Sequence, residues 1–148
     1  MAVLGLALVV TAVAAAWLRT RDGAVRPADG PERMEDADVT PQQVLADLGI
    51  DVRGADLTVV QFSTAFCAPC RQTRARLDQL RATRPGLAYV HVDAESHLDA
   101  VRELDVRRTP TLLYFDRSGA ALGRSSGAPR PRELTALVDA HAPSGSRA

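Results

Sequence analysis

The stretch Thr58-Val59-Val60-Gln61-Phe62-Ser63 is β-branched and aromatic, the pattern of a strand. Beyond it the period changes. Cys70, Thr73, Leu77 and Leu80 recur at helical spacing, which predicts a helix from Cys67 to about Thr83. Upstream, Thr40-Pro41 reads as an N-cap followed by proline at the first helical position, with Val44, Leu45 and Leu48 on the inner face and Gly49 as the stop. Downstream, Pro85-Gly86 ends the long helix and Leu87-Ala88-Tyr89-Val90-His91-Val92 forms a second strand. Ser96, with Asp99 in the capping-box position, opens a short helix whose face is Leu98, Val101 and Leu104. Thr111 to Phe115 is a third strand, with Pro110 at its start, where proline is permitted. Asp116-Arg117-Ser118-Gly119 has turn chemistry, which makes Ala120 to Arg124 a partner edge strand. Pro131 opens a last helix with Leu134, Leu137 and Val138 inward, and residues 143–148 form a frayed tail. The element order is that of an α/β domain spanning residues 39–142.

The N-terminus has a different pattern. Residues 1–18 are uncharged and almost wholly apolar. As a helix they would reach ~27 Å at ~1.5 Å per residue, close to the ~30 Å hydrocarbon core of a bilayer. Trp17 falls where an interfacial aromatic sits. A cleaved signal peptide is the rival reading, but no positive side chain precedes the run. We expect an uncleaved, single-pass membrane anchor. Arg19, Arg21 and Arg26 follow it, so the positive-inside rule puts the folded domain on the cytoplasmic side, with an extracytoplasmic domain as the alternative. Residues 19–38, rich in charged residues, Gly and Pro, read as a flexible linker.

The chemistry is concentrated at Cys67-Ala68-Pro69-Cys70, where strand gives way to helix. Cys67 lies at a helix N-terminus, where unpaired N–H groups and the positive end of the dipole favour thiolate over thiol. Cys70, one turn on, is close enough to close a disulfide. The pair reads as a dithiol–disulfide redox site. A structural zinc site needs more thiolate or imidazole ligands, and the chain has only these two cysteines. His91, His97 and His141 show no finger-like pairing with them, so no metal is expected. A loop this small constrains the unfolded chain little, which argues against a purely structural bridge.

Composition narrows the field further. With 148 residues and 46% of them hydrophobic, the chain can build one domain plus an appendage. Net charge is zero, so no overall field attracts nucleic acid. Arginines 71, 74, 76, 81 and 84 crowd the redox helix, but no aromatic stacking platform accompanies them, and they read as a solvated face.

Three features in this order, Cys67-Ala68-Pro69-Cys70, Thr109-Pro110-Thr111 and Gly127 before the last helix, resemble the thioredoxin family, and its membrane-anchored, TlpA-like members in particular. The resemblance implies a thioredoxin fold, a mixed central sheet flanked by helices, carried behind an N-terminal transmembrane helix. It implies that Cys67 and Cys70 are catalytic, that Pro110 is a cis-proline beside them, and that Phe66, Ala68, Pro69, Thr109, Pro110 and Gly127 meet an extended substrate. Three positions depart from the family pattern. Phe66 replaces the usual tryptophan, as an apolar cover without an indole N–H. Ala68 replaces a glycine. Gln61 and Tyr89 fall where the family carries a buried aspartate and its lysine partner, which removes the base that helps Cys70 lose its proton and leaves that step to water or the departing substrate thiolate; Gln61 itself reads as a satisfied polar residue in the core.

The neutral Ala-Pro dipeptide resembles that of reducing members. The implied activity is reduction of protein disulfides by a membrane-tethered monomer, without cofactor, re-reduced by an unidentified thiol reductant or reductase. A non-catalytic thioredoxin-fold binding module and a thiol-based copper delivery protein are the alternatives.

Overall fold

A computed structural model describes residues 10–15, 23–27 and 39–144. Its elements run β1 (Arg26–Pro27), α1 (Pro41–Asp47), β2 (Leu57–Ser63), α2 (Ala68–Arg81), β3 (Leu87–Asp93), α3 (Leu98–Glu103), β4 (Thr111–Asp116), β5 (Ala121–Ser126) and α4 (Pro131–His141). The sheet order is β1-β5-β4-β2-β3. β2 and β3 pair in parallel across the α2 crossover, and β4 and β5 return antiparallel.

β2 is buried at every position because it is central and covered on both faces. That explains why its sequence is a nearly continuous apolar run. Side chains still alternate. Val60 and Phe62 enter one core with Val92, Leu113 and Phe115, closed by Val44 and Leu45 of α1 and by Ala100 of α3. Leu57 and Val59 enter the other core with Leu112 and Tyr114, closed by Leu77 and Leu80 of α2 and by Leu134 and Val138 of α4. Two helices therefore cover each face, a three-layer α/β/α arrangement. Gln61 lies on the α2 side by the same two-residue period.

The predicted helix ends hold where a side chain has no better partner. Thr40 caps α1 in a full capping box with Gln43, and Gly49 carries a φ of 74° just past the end, as a glycine stop requires. The start of α3 differs. The residue at its N-cap is His97, without a side-chain cap bond, because the Ser96 hydroxyl instead donates to Asp93 Oδ2 at 2.6 Å. Leu98, expected inward, is 53% exposed, and Ala100 and Leu104 take the buried face.

β5 is not an edge strand. Gly23 N–H donates to the Ser126 carbonyl at 2.9 Å, Arg26 and Pro27 pair with Arg124 and Gly123, and Val25 packs on the α2/α4 core. Residues 23–27 thus dock on the sheet within the stretch that the sequence marks as a linker. The apolar run 1–18 is described only at residues 10–15, which are helical. The remainder of the expected anchor lies outside the described residues, as do residues 28–38 and 145–148. Among the described residues no helix is long and apolar enough to cross a membrane.

Candidate active site

β2 ends at Ser63 and the chain turns through Thr64-Ala65-Phe66 into α2, so the cysteines sit at the carboxyl end of the central strand. Cys67 is the N-cap, with an extended backbone at φ −82° and ψ 95°, and Ala68 and Pro69 form the first turn. Proline fits there because its missing N–H has no intrahelical partner to lose. Cys67 and Cys70 form a disulfide with their Cα atoms 5.2 Å apart. Cys67 Sγ also accepts the Cys70 backbone N–H at 3.1 Å. An N–H aimed at this sulfur stabilises negative charge on it once the bond is reduced. In the disulfide Cys67 is 8% and Cys70 4% exposed.

The three separated motifs meet around this bridge. The Thr109–Pro110 peptide bond is cis, as the resemblance implies. Thr64 and Thr109 hydroxyls approach to 3.5 Å, which brings the loop before Cys67 to the residue ahead of Pro110. Gly127 N–H donates to the Pro110 carbonyl at 2.8 Å, and its φ of 92° suits glycine. Pro110 is buried, Thr109 and Gly127 are half-buried, and Ala68 and Pro69 are exposed. Phe66 differs from its expected role as an apolar cover. Its ring is 96% exposed, because the loop directs it away from the sheet into solvent.

Behind the bridge, Gln61 is fully buried and fully engaged. Its Nε2 donates to the Cys70 carbonyl at 3.1 Å and its Oε1 accepts the Tyr89 hydroxyl at 3.2 Å. Burial pushes the Tyr89 phenol up to about 12, so it stays protonated and donating at neutral pH. The positions that carry a buried ion pair in the resembling family are therefore bridged here by one neutral hydrogen bond.

The face shared by Gln61 and Ser63 of β2 with Tyr89, His91 and Asp93 of β3 holds a feature absent from the sequence reading. Gln61 is in register with His91, and Ser63 with Asp93. Ser63 Oγ hydrogen-bonds His91 Nε2. Asp93 is held as a carboxylate below its usual range, first by the Ser96 hydroxyl and then by the Glu95 N–H. The signal was present as polar residues alternating along β3 opposite the motif strand, but polar residues on an edge strand ordinarily face water. Among the described residues no group of three or more His, Cys, Asp or Glu side chains is placed to hold a metal ion.

Most of the α2 arginines take the expected solvated face. Arg74 and Arg81 pair with Asp78 at 3.9 and 3.5 Å. Arg76 instead reaches the Thr135 hydroxyl of α4 at 2.9 Å and ties the two helices on that face together.

Comparison with known proteins agrees with this geometry. The family model described as Thioredoxin matches residues 45–140. A thioredoxin of Pongo abelii is 30% identical over 79 residues, 53% of this chain and 74% of that protein. A thioredoxin H-type of Populus jackii is 27% identical over 95 residues, 62% of this chain and 68% of its own. Among solved structures, Fasciola hepatica thioredoxin superposes with a TM-score of 0.55 at 27% identity, over 66% of this chain and 90% of that one.

Proposed function

This chain belongs to the thioredoxin family, and from that premise we propose that it works as a membrane-tethered reductase of protein disulfides, with Cys67 attacking and Cys70 resolving. The chain is a thioredoxin-like thiol–disulfide oxidoreductase with a Cys67–Cys70 redox pair. The single observation that carries the assignment of roles is the Cys70 N–H donated to Cys67 Sγ at a helix N-terminus. That arrangement lowers the cost of a thiolate on Cys67 and none on Cys70. In the reducing direction the Cys67 thiolate attacks a substrate disulfide and releases one substrate thiolate. Cys70 then attacks Cys67 Sγ, releases the second, and leaves the Cys67–Cys70 disulfide. A separate thiol reductant or reductase returns the pair to the dithiol.

Phe66, Ala68 and Pro69 stand exposed around Cys67 and offer an apolar surface to an extended segment, with Thr109 and Gly127 beside it. The tether is supported by the uncharged run of residues 1–18, and a TlpA-like placement of the domain beside the bilayer follows from it. The positive flanks after the run favour a cytoplasmic face.

Insulin reduction driven by dithiothreitol tests the activity. The wild-type chain is expected to accelerate precipitation of the insulin B chain, and Cys67→Ser to return it to the uncatalysed rate. Fractionation of cells expressing the full chain tests the tether. Recovery in carbonate-washed membranes supports it, and recovery in the supernatant overturns it.

A further inference from the structure

A resolving thiol must lose its proton before it attacks, and the strand behind this one supplies no carboxylate, because position 61 is an amide that cannot accept a proton. A cavity of about 340 Å³ lies beside the bridge, lined by both cysteines, Gln61, Ser63, His91 and Asp93. Polar groups of Gln61, Ser63, His91 and Asp93 border it, and it is large enough for water, which occupies roughly 30 Å³ per molecule in the liquid.

The acceptors that line it can be told apart. Gln61 is excluded by its chemistry and by its two hydrogen bonds. The Asp93 carboxylate already accepts the Ser96 hydroxyl and the Glu95 N–H, which lower its proton affinity. Tyr89 does not line the cavity, and its hydroxyl donates to Gln61 Oε1. His91 remains. It lies in register with Gln61 on the same sheet face, at the exposed side of the cavity, with Nε2 bonded to the Ser63 hydroxyl. An imidazole is the side chain suited to exchanging protons near neutral pH.

We propose that His91, working through Ser63 and cavity water, accepts the Cys70 thiol proton during the resolving step and so does the work of the missing carboxylate. The inference rests on the reductase reading above. The step balances. The Cys70 S–H bond breaks and its proton passes to the imidazole, giving a thiolate and an imidazolium. The thiolate forms the Cys70–Cys67 S–S bond while the Cys67–substrate S–S bond breaks, and the substrate sulfur leaves with that electron pair. The imidazolium then returns its proton to the departing thiolate or to solvent. The charged and titratable groups around His91 are Arg71 and Arg74 from α2, Tyr89 and Asp93 from its own strand, and Glu95 and His97 from the loop that follows. The two guanidiniums face the cavity from the helix side and oppose an imidazolium there, while the Asp93 carboxylate on the same strand favours it.

The test uses the reduced full-length chain and a symmetrical nitroaryl disulfide, which releases one coloured thiolate on attack and a second on resolution. Stopped-flow traces across pH 5–9 separate the two phases. In His91→Gln, which keeps a hydrogen-bonding partner for Ser63, the first phase is expected at the wild-type rate. The second is expected to slow by about a hundredfold, the lower end of a general-base contribution, and to change its pH dependence. Added imidazole is expected to restore the second phase in His91→Ala. A second phase equal to wild type at every pH overturns the proposal, and so does equal slowing of both phases, which marks a structural role. Absence of a first phase in the wild-type chain itself contradicts the reductase reading, a result distinct from either.

Discussion

Replacing Cys70 with serine is expected to abolish multiple turnover and to convert the protein into a trap for its own substrates. The Cys67 thiolate keeps its N-terminal helix site and its N–H donor, because that donor is the backbone of residue 70 and not its sulfur. Attack therefore proceeds, a mixed disulfide forms through Cys67, and no second sulfur is present to release it. Insulin reduction should fall to background, while non-reducing gels of cells expressing the variant show discrete adducts that vanish with reductant. In Cys67→Ser the same adducts should be absent. Their appearance there would invert the roles of the two cysteines.

The second large effect is on stability. Gln61→Asp shortens the side chain by one carbon, forfeits the donor to the Cys70 carbonyl, and places a carboxyl in a fully buried site next to a neutral Tyr89. Among the described residues no lysine or arginine hydrogen-bonds to or pairs with position 61, whose partners are the Cys70 carbonyl and the Tyr89 hydroxyl, so the new carboxylate gains no direct counter-ion. Desolvation raises the folded-state pKa of the new carboxyl above its unfolded value of about 3.9. Below the unfolded value the carboxyl is neutral in both states and contributes no pH-dependent loss. As pH rises, the unfolded chain releases the proton and the folded chain retains it, so stability falls until the folded pKa is passed. Each unit of elevation is worth ~1.4 kcal/mol, and a shift of two units costs about 3 kcal/mol at pH 7. Chemical denaturation of both proteins at pH 4 and pH 7 checks this. A deficit that grows with pH supports the buried site, and a deficit equal at the two values means the new carboxyl reaches water.

Much of this architecture is legible in the sequence because local signals and global packing agree there. The Thr40-Pro41 cap, the apolar β2 run and the Cys67–Cys70 spacing at a strand-to-helix turn each had one strong local solution, and the structure adopts all three. The cis bond at Pro110 followed from family resemblance, since local propensity at that position permits a trans proline at a strand start equally well. Other features escaped because competing partners decide them. Ser96 has the composition of a cap, yet Asp93 lies three residues back and captures its hydroxyl. Arg26 and Pro27 carry no strand pattern, and they pair only because β5 presents an open edge. Phe66 reads as apolar and therefore as cover, whereas the turn that aims Cys67 at the bridge sends the neighbouring ring outward. The Ser63–His91 contact joins residues 28 apart in sequence through parallel strand register, which no window along the chain can reveal.

The most direct measurement of the central claim is the stoichiometry of a single turnover. The fully reduced chain, mixed with excess disulfide substrate and quenched with acid, is expected to release two substrate thiols per molecule, with peptide mapping that finds Cys67 joined to Cys70. One thiol per molecule, with substrate left on Cys70, would contradict it.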